Sequence, residues 1–162
     1  MNNNDNIIIA IDPGANGGIA VWDGNRATVE PMPDTETEIA AAIDNIVFTA
    51  PSPAMPTAYV EKVGGFVKGA AAPGSAMFNF GKSYGILLGV LAAFRVRTVL
   101  VTPQAWQKGL GLGTRGKDTD KAAWKRKLKG EAGRLYPECR PTLKTSDALL
   151  ILEYARRKEA AR

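Results

Sequence analysis

The sequence predicts an α/β domain in which a mixed five-stranded sheet, with its first three strands antiparallel, is flanked by helices. Short apolar runs typical of buried strands alternate with longer segments whose apolar residues repeat at helical spacing. An Asp-Gly-Asn turn at 23–25 joins two of these runs as a hairpin. With 162 residues, 45% of them apolar, the chain can bury a sizeable core, so we expect a single domain over 1–162.

Five runs are predicted strands, and the first of them, 7–12, has the most distinctive end. It is apolar until Asp12, where a Pro-Gly pair forces a turn, so Asp12 stands at the mouth of a buried strand. The run 57–63 repeats this pattern with Glu61 near its end. The remaining predicted strands are 17–22, 27–31 and 97–102.

Five segments are predicted helices. They are 35–47, 75–94 with Ser75 as N-cap, the short 104–108, 119–136, and a last helix over 147–156 that Thr145 and Ser146 cap. The last helix is apolar almost all round in its first turns, so we expect it to pack deep in the core. Its first turn carries Asp147.

Three glycines, Gly81, Gly85 and Gly89, fall on one face of the predicted helix 75–94 because they are four residues apart. Each costs about 1 kcal/mol relative to alanine in a helix, so a close neighbour is expected to compensate. Packing of this face against the sheet is the favoured interpretation, and a dimer interface is the alternative.

The composition excludes several classes of protein. Histidine is absent, which excludes Ser-His and Cys-His catalytic triads and the usual zinc sites. The single cysteine excludes a disulfide framework and favours a reducing compartment. We find no secretory signal pattern and no apolar run near the roughly 18 residues of a membrane span, so we expect a cytoplasmic protein.

Positive charge is concentrated in one stretch, between 108 and 129. This basic cluster holds eight Lys or Arg against two Asp, a local charge of +6, whereas the whole chain carries +5. Such a concentration is typical of a nucleic-acid binder, although a solvated helix face is the commoner origin of charge clusters. The glycine-rich loop 109–116 inside it matches no nucleotide-binding fingerprint.

A second candidate DNA contact is the Gly- and Ala-rich loop that follows Glu61. It contains Phe66 and Lys68, with Lys62 just before it. Flexible backbone, an aromatic ring and positive charge suit stacking on an unpaired base. Alternatively, Phe66 covers an edge of the core.

Three acids, Asp12, Glu61 and Asp147, are each attached to an apolar segment that is predicted to be buried. Burial of unpaired carboxylates is costly, so either the three are far apart and separately paired, or they converge on a cation. Oxygen ligands of this kind suit Mg²⁺ or Mn²⁺, and such ions support phosphodiester cleavage without histidine. For Asp12 a simple turn cap is the alternative.

Five motifs in order resemble the RuvC-type Holliday junction resolvases, which belong to the RNase H-like superfamily. They are Ile-Asp12-Pro-Gly, Val-Glu61-Lys, Phe-Gly-Lys-Ser-Tyr-Gly-Ile-Leu-Leu-Gly at 80–89, Val-Thr-Pro-Gln104-Ala-Trp-Gln-Lys, and Ser-Asp147-Ala-Leu-Leu-Ile. The resemblance spans 7–156, and the compact phage- or plasmid-borne members are the most similar.

The resemblance implies an RNase H-like fold and a homodimer that makes paired nicks in four-way DNA junctions with Mg²⁺ or Mn²⁺, in recombination, replication and repair in a bacterial or phage-infected cell. It implies no small-molecule cofactor and no membrane. The implied metal ligands are Asp12, Glu61 and Asp147, and Phe66 would probe bases at the crossover. The expected DNA-binding residues are Lys62, Phe66, Lys68, Lys82, Arg115, Lys117, Lys121 and Lys125.

The chain departs from the family at Lys144, where a fourth acid or a histidine is usual, one turn before Asp147. Glu153 does not replace it, because it lies roughly 240° around the helix from Asp147. Lys144 is therefore a further candidate catalytic residue, either contacting the scissile phosphate or replacing part of a metal's charge; a surface lysine is the alternative.

Three other functions fit parts of the sequence. A broader branched-DNA or RNA–DNA hybrid nuclease would use the same residues. A junction-binding protein with weakened catalysis would account for Lys144. A sugar-kinase-like ATPase shares the fold class but needs glycine motifs and a length that this chain lacks.

Overall fold

A single mixed sheet forms the centre of the computed structural model, which describes residues 7–49, 55–64 and 74–162. The strand order is β3-β2-β1-β4-β5. Strands β1 to β3 are antiparallel neighbours, and β4 and β5 continue the sheet parallel to β1. The strands are β1 (Ile8–Asp12), β2 (Gly18–Trp22), β3 (Ala27–Pro31), β4 (Thr57–Glu61) and β5 (Arg97–Val101). The predicted α/β class and the antiparallel start of the sheet are confirmed.

In the described part of the chain five α-helices cover the sheet, close to the predicted segments. They are α1 (Glu36–Thr49), α2 (Gly74–Ala93), α3 (Pro103–Gly109), α4 (Lys121–Leu135) and α5 (Ser146–Ala160), with a 3-10 turn at Pro137–Cys139. The predicted caps are wrong in detail. Ser75 lies inside α2, and the Thr145 side chain makes no capping hydrogen bond to α5.

The core has two layers, one on each face of the sheet, because side chains alternate along a strand. Ile9 and Ile11 of β1 point into the layer covered by α1 and α2. Ile8 and Ala10 point into the layer covered by α4 and α5. In that second layer α5 is buried along almost its whole first half, which confirms the deep packing expected from its apolar sequence.

The turn after β1 depends on a glycine. A Cβ atom at Gly17 would lie 1.9 Å from the backbone oxygen of Asp12, so no other residue fits without displacing one of the two segments. The Gly17 amide also donates to the Gly14 carbonyl across this turn, at 2.9 Å. The position of Asp12 at the strand end is thus fixed by close backbone packing.

The glycine face of α2 is exposed, which overturns the favoured interpretation. A methyl group built on Gly81, Gly85 or Gly89 would meet no described atom within 4 Å. Helix α2 packs on the sheet through Leu87 and Leu91 instead. The interpretation that remains is a partner on the outer face.

By length and composition α2 is also apolar enough to cross a membrane, so the expectation of no such run is wrong at this helix. A helix that packs on a sheet can pass the same test. In α2 the contacts of Leu87 and Leu91 with the core and an ion pair from Lys82 to Glu36 of α1, at 2.6 Å, tie the helix to the domain.

Candidate active site

Two of the three candidate acids, Asp12 and Glu61, lie side by side at the ends of neighbouring strands. Ile11 of β1 pairs with Val60 of the parallel strand β4, so the next residues, Asp12 and Glu61, follow at neighbouring strand ends. Asp12 has the same strand parity as Ala10, and Glu61 the same as Tyr59. Both residues therefore point to the face of the sheet that α5 covers.

The third acid reaches the same place from α5. Asp147 lies in the first turn of this helix and is only 7% exposed. Its neighbour Thr145 packs against Gly18 of β2, where a Cβ atom would lie 3.4 Å from the Thr145 Cα. The small residue at 18 thus lets the start of α5 approach the end of β1.

Glu61 is held by a tryptophan. The indole Nε1 of Trp106, a fully buried residue of α3, donates to Glu61 Oε2 at 2.8 Å. Helix α3 is itself anchored at its start, where Thr102 Oγ1 accepts from the Ala105 amide and a proline follows. This chain of contacts orients the Glu61 carboxylate and leaves its other oxygen, Oε1, available.

Asp147 is held by a lysine that sequence reasoning had assigned only to DNA. Lys125 Nζ, from the second turn of α4, donates to Asp147 Oδ2 in a short ion pair. The other oxygen, Asp147 Oδ1, is buried and has no hydrogen-bond partner among the described residues. The basic residues of α4 offered no sequence signal that would single out Lys125, because the pairing depends on how α4 packs on α5.

The three carboxylates act on one another through their charge. Burial, together with the negative charges of Glu61 and Asp147, raises the pKa of Asp12 to about 8, and the positive charge of Lys125 opposes this shift. Burial also raises the pKa of Glu61, although the Trp106 hydrogen bond opposes the shift. Burial lowers the pKa of Lys125, but the three acids, Asp147 foremost, outweigh burial and raise it. When all three acids are ionised, the site therefore carries more negative charge than Lys125 neutralises.

These residues fit a divalent cation in their donor chemistry. An orphaned carboxylate oxygen at Asp147 and a carboxyl at Asp12 that resists ionisation both indicate missing positive charge. However, within 7–49, 55–64 and 74–162 no three acidic, Cys or His side chains lie close enough together to form a ready-made metal cluster. The assignment of Asp12, Glu61 and Asp147 as metal ligands stays a prediction.

Lys144 lies in the turn before α5 and is exposed. Its backbone amide donates to Thr142 Oγ1 at 3.2 Å, within a small network in which the Thr142 amide donates to Thr145 Oγ1 at 2.9 Å. The lysine that contacts the acids is Lys125 rather than Lys144. A catalytic role for Lys144 is supported by no side-chain contact in the described part of the chain.

The predicted DNA-binding residues other than Lys125 differ in their surroundings. Arg115, Lys117 and Lys121 are exposed, along the segment that leads into α4 and at its start, on the side of the sheet that carries the acids. Lys62 is exposed directly after Glu61, whereas Lys82 is engaged with Glu36. Phe66 and Lys68 lie outside the described residues.

One further contact orders the basic cluster. Lys127 Nζ donates to the Leu112 carbonyl at 2.9 Å and lies over the Trp124 ring, 4.8 Å from its centroid. The glycine-rich loop between α3 and α4 is thereby tied to α4, which keeps Arg115 and Lys117 near the helix. The role of these residues toward DNA stays a prediction.

Comparison with solved structures identifies the fold as RuvC-like. The structure of Thermus thermophilus RuvC matches with a TM-score of 0.57 and 15% sequence identity, covering 94% of this chain and 96% of that one. T. thermophilus RuvC in complex with a Holliday junction substrate matches with a TM-score of 0.55 and 18% identity over the same shares. No protein-family model and no characterised protein sequence matches the chain.

The raised pKa of Asp12 predicts how stability depends on pH. The folded protein binds a proton at Asp12 more tightly than the unfolded chain, whose pKa is near 3.8, so metal-free stability falls as pH rises from about 4 toward 8. The Asp12→Asn variant removes this charge. By urea unfolding in EDTA, it should exceed the wild type at pH 8 by more than about 1.4 kcal/mol, the value of one pKa unit, and match it near pH 4. A wild type that is the more stable protein at pH 8 would show that Asp12 is ionised at no cost.

Proposed function

We propose that this chain is a metal-dependent, structure-selective DNA endonuclease that resolves four-way junctions. The observation that carries this proposal is the position of Asp12, Glu61 and Asp147. Three acids from two parallel strands and one buried helix lie near one another at one end of the sheet in a RuvC-like fold. Carboxylate oxygens with too little positive charge around them suit Mg²⁺ or Mn²⁺.

Each acid has a distinct part in this proposal. Asp12, at the end of a central strand and behind the Gly17 turn, provides a rigid ligand. Glu61 provides Oε1 while Trp106 holds its other oxygen, and Asp147 provides the unpartnered Oδ1. Bound there, Mg²⁺ or Mn²⁺ supplies an activated water and stabilisation of the leaving oxygen in phosphodiester hydrolysis.

The surroundings of the acids support a nucleic-acid substrate. The basic cluster borders the same side of the sheet, so Arg115, Lys117 and Lys121 are available to phosphates of a strand that enters the site. T. thermophilus RuvC, whose complex contains a Holliday junction, has this fold over nearly the whole chain. Branched DNA is therefore the substrate we propose.

A second candidate, a junction-binding protein with weak or no catalysis, is favoured by one observation. No ready-made metal cluster exists among the described residues, and Lys125 occupies one oxygen of Asp147. A broader nuclease for flaps or RNA–DNA hybrids is the other alternative. Substrate comparison and Asp12 variants distinguish the three.

We further propose a homodimer that forms through the outer face of α2. The glycines at 81, 85 and 89 leave a flat surface, and Phe78 beside them is 71% exposed. Only 11% of the apolar 18-residue stretch of α2 is buried against the described part of the chain. Small residues in such a row let two helices approach closely, and a second copy of the same face is the simplest complement.

Cleavage of a synthetic four-way junction tests the proposed activity. With Mg²⁺ or Mn²⁺ the wild type should nick opposite strands of the junction and leave linear duplex of the same sequence intact. Asp12→Asn should retain junction binding in a gel-shift assay and lose cleavage by at least about a hundredfold, as expected when a metal ligand is removed. Flap and hybrid substrates run in parallel measure selectivity.

Each contrary result has a defined meaning. Binding without cleavage in either metal would favour the junction-binding alternative. Equal cleavage of flap or hybrid substrates would favour the broader nuclease. Equal cleavage by wild type and Asp12→Asn would contradict the assigned site.

The dimer is tested by adding bulk and charge to the α2 face. Gly85→Arg should convert a dimer into a monomer in size-exclusion chromatography with light scattering, because no described atom lies within 4 Å of a Cβ built on Gly85 and the described fold can accept the side chain. Gly130→Arg, at a glycine of α4 that also has open space, is the matched control and should stay dimeric. A monomeric wild type, or a Gly85→Arg dimer, would contradict this interface.

A further inference from the structure

Lys125 is the one basic residue of the described chain that forms an ion pair with any of the three acids. It reaches Asp147 from α4, an element that carries none of the acids, and its side chain is 33% exposed. Leu128, one turn later on the same helix, is 1% exposed in the core that α4 shares with α5. Packing of Leu128 therefore fixes the backbone of α4 at Lys125, and the ammonium group of Lys125 lies among the carboxylates.

This position gives the ammonium group an electrostatic role. One buried and two half-buried carboxylates near one another are unfavourable without positive charge, and no hydrogen-bond donor among the described residues contacts the side chain of Asp12. The charge of Lys125 acts on all three acids, with Asp147 the nearest. It also occupies Asp147 Oδ2, one of the oxygens that a metal would need.

We propose that Lys125 is an internal counter-ion that occupies the site until a divalent cation displaces it. Without a cation its ammonium group pairs with Asp147, and among the described residues the three acids, although near one another, form no ready-made metal cluster. Cation binding requires Lys125 to release Asp147, so lysine and metal compete for the same carboxylate. This inference rests on the proposed metal-dependent function.

Competition predicts that removal of the lysine charge strengthens metal binding. We compare Mn²⁺ affinity by isothermal titration calorimetry, without DNA, for the wild type, Lys125→Met and Lys129→Met. Lys129 is exposed on the same helix and pairs with no acid in the described chain, so its variant controls for the loss of one positive charge. Lys125→Met should bind Mn²⁺ about tenfold more tightly, within the usual range of coupling between two ligands, and Lys129→Met should stay within about twofold of the wild type.

Metal-free stability provides a second measurement. Without the counter-ion, Lys125→Met should melt at a lower temperature in EDTA than Lys129→Met, and Mn²⁺ should raise its melting temperature by more than it raises that of the wild type. A residue that only contacts DNA would show neither effect. Lys125→Arg keeps the charge and should stay near the wild type in both measurements.

The wild type itself allows a test that does not depend on a variant that folds. The ε-CH₂ signal of Lys125 in an NMR spectrum should shift when Mg²⁺ saturates the site. An unmoved signal under saturation, or a Lys125→Met affinity equal to or weaker than that of the wild type, would overturn this inference while the proposed function stands. If Mn²⁺ binds wild type and Asp12→Asn equally, or neither of them, the proposed metal site fails and this inference fails with it.

Discussion

The repulsion among three carboxylates at one end of the sheet, with Asp147 buried and Asp12 and Glu61 half-buried, is the constraint on which the site depends. Parallel pairing of β1 with β4 brings Asp12 beside Glu61, and deep packing of α5 adds Asp147. Two residues next to the acids offset part of this repulsion. Trp106 donates a hydrogen bond to Glu61, and Lys125 supplies one positive charge to Asp147. The remaining deficit shows in the raised pKa of Asp12 and in the unpartnered Asp147 Oδ1.

The two faces of the sheet have different surroundings. The acids and the basic cluster lie on the face covered by α4 and α5, where α3 and α4 also supply Trp106 and Lys125. The opposite face is covered by α1 and by α2, whose outer surface is apolar and flat. This division lets a partner bind on one side of the domain while the other stays open to DNA. The proposed dimer and the proposed chemistry therefore do not compete for surface.

The sequence predicted the features that depend on local pattern. Apolar runs that end in an acid placed Asp12 and Glu61 at strand ends, and the apolar start of the last helix placed Asp147 in the core. Features that depend on packing between distant elements were missed. The Lys125 ion pair requires α4 to lie against α5, whereas the lysine that the sequence pointed to, Lys144, is exposed in a turn.

The same distinction holds for glycine. The four-residue spacing on α2 correctly identified one face but could not say whether the sheet or solvent lies against it. In contrast, glycine is needed at 17 because the backbone oxygen of Asp12, five residues earlier, leaves no space for a side chain. A repeat pattern in the sequence cannot predict this requirement. Helix caps were similarly misjudged because Thr145 accepts a hydrogen bond from the Thr142 amide rather than from the first turn of α5.

Anomalous scattering from crystals grown with Mn²⁺ would show whether the three acids form one cation site. We expect an anomalous peak within about 2.0–2.6 Å of oxygens from Asp12, Glu61 and Asp147, the usual range for such ligands. The same crystals should show Lys125 withdrawn from Asp147. A peak that lacks Asp12 or Asp147 among its ligands, or no peak at a Mn²⁺ concentration that supports cleavage, would mean that the three acids do not form one cation site.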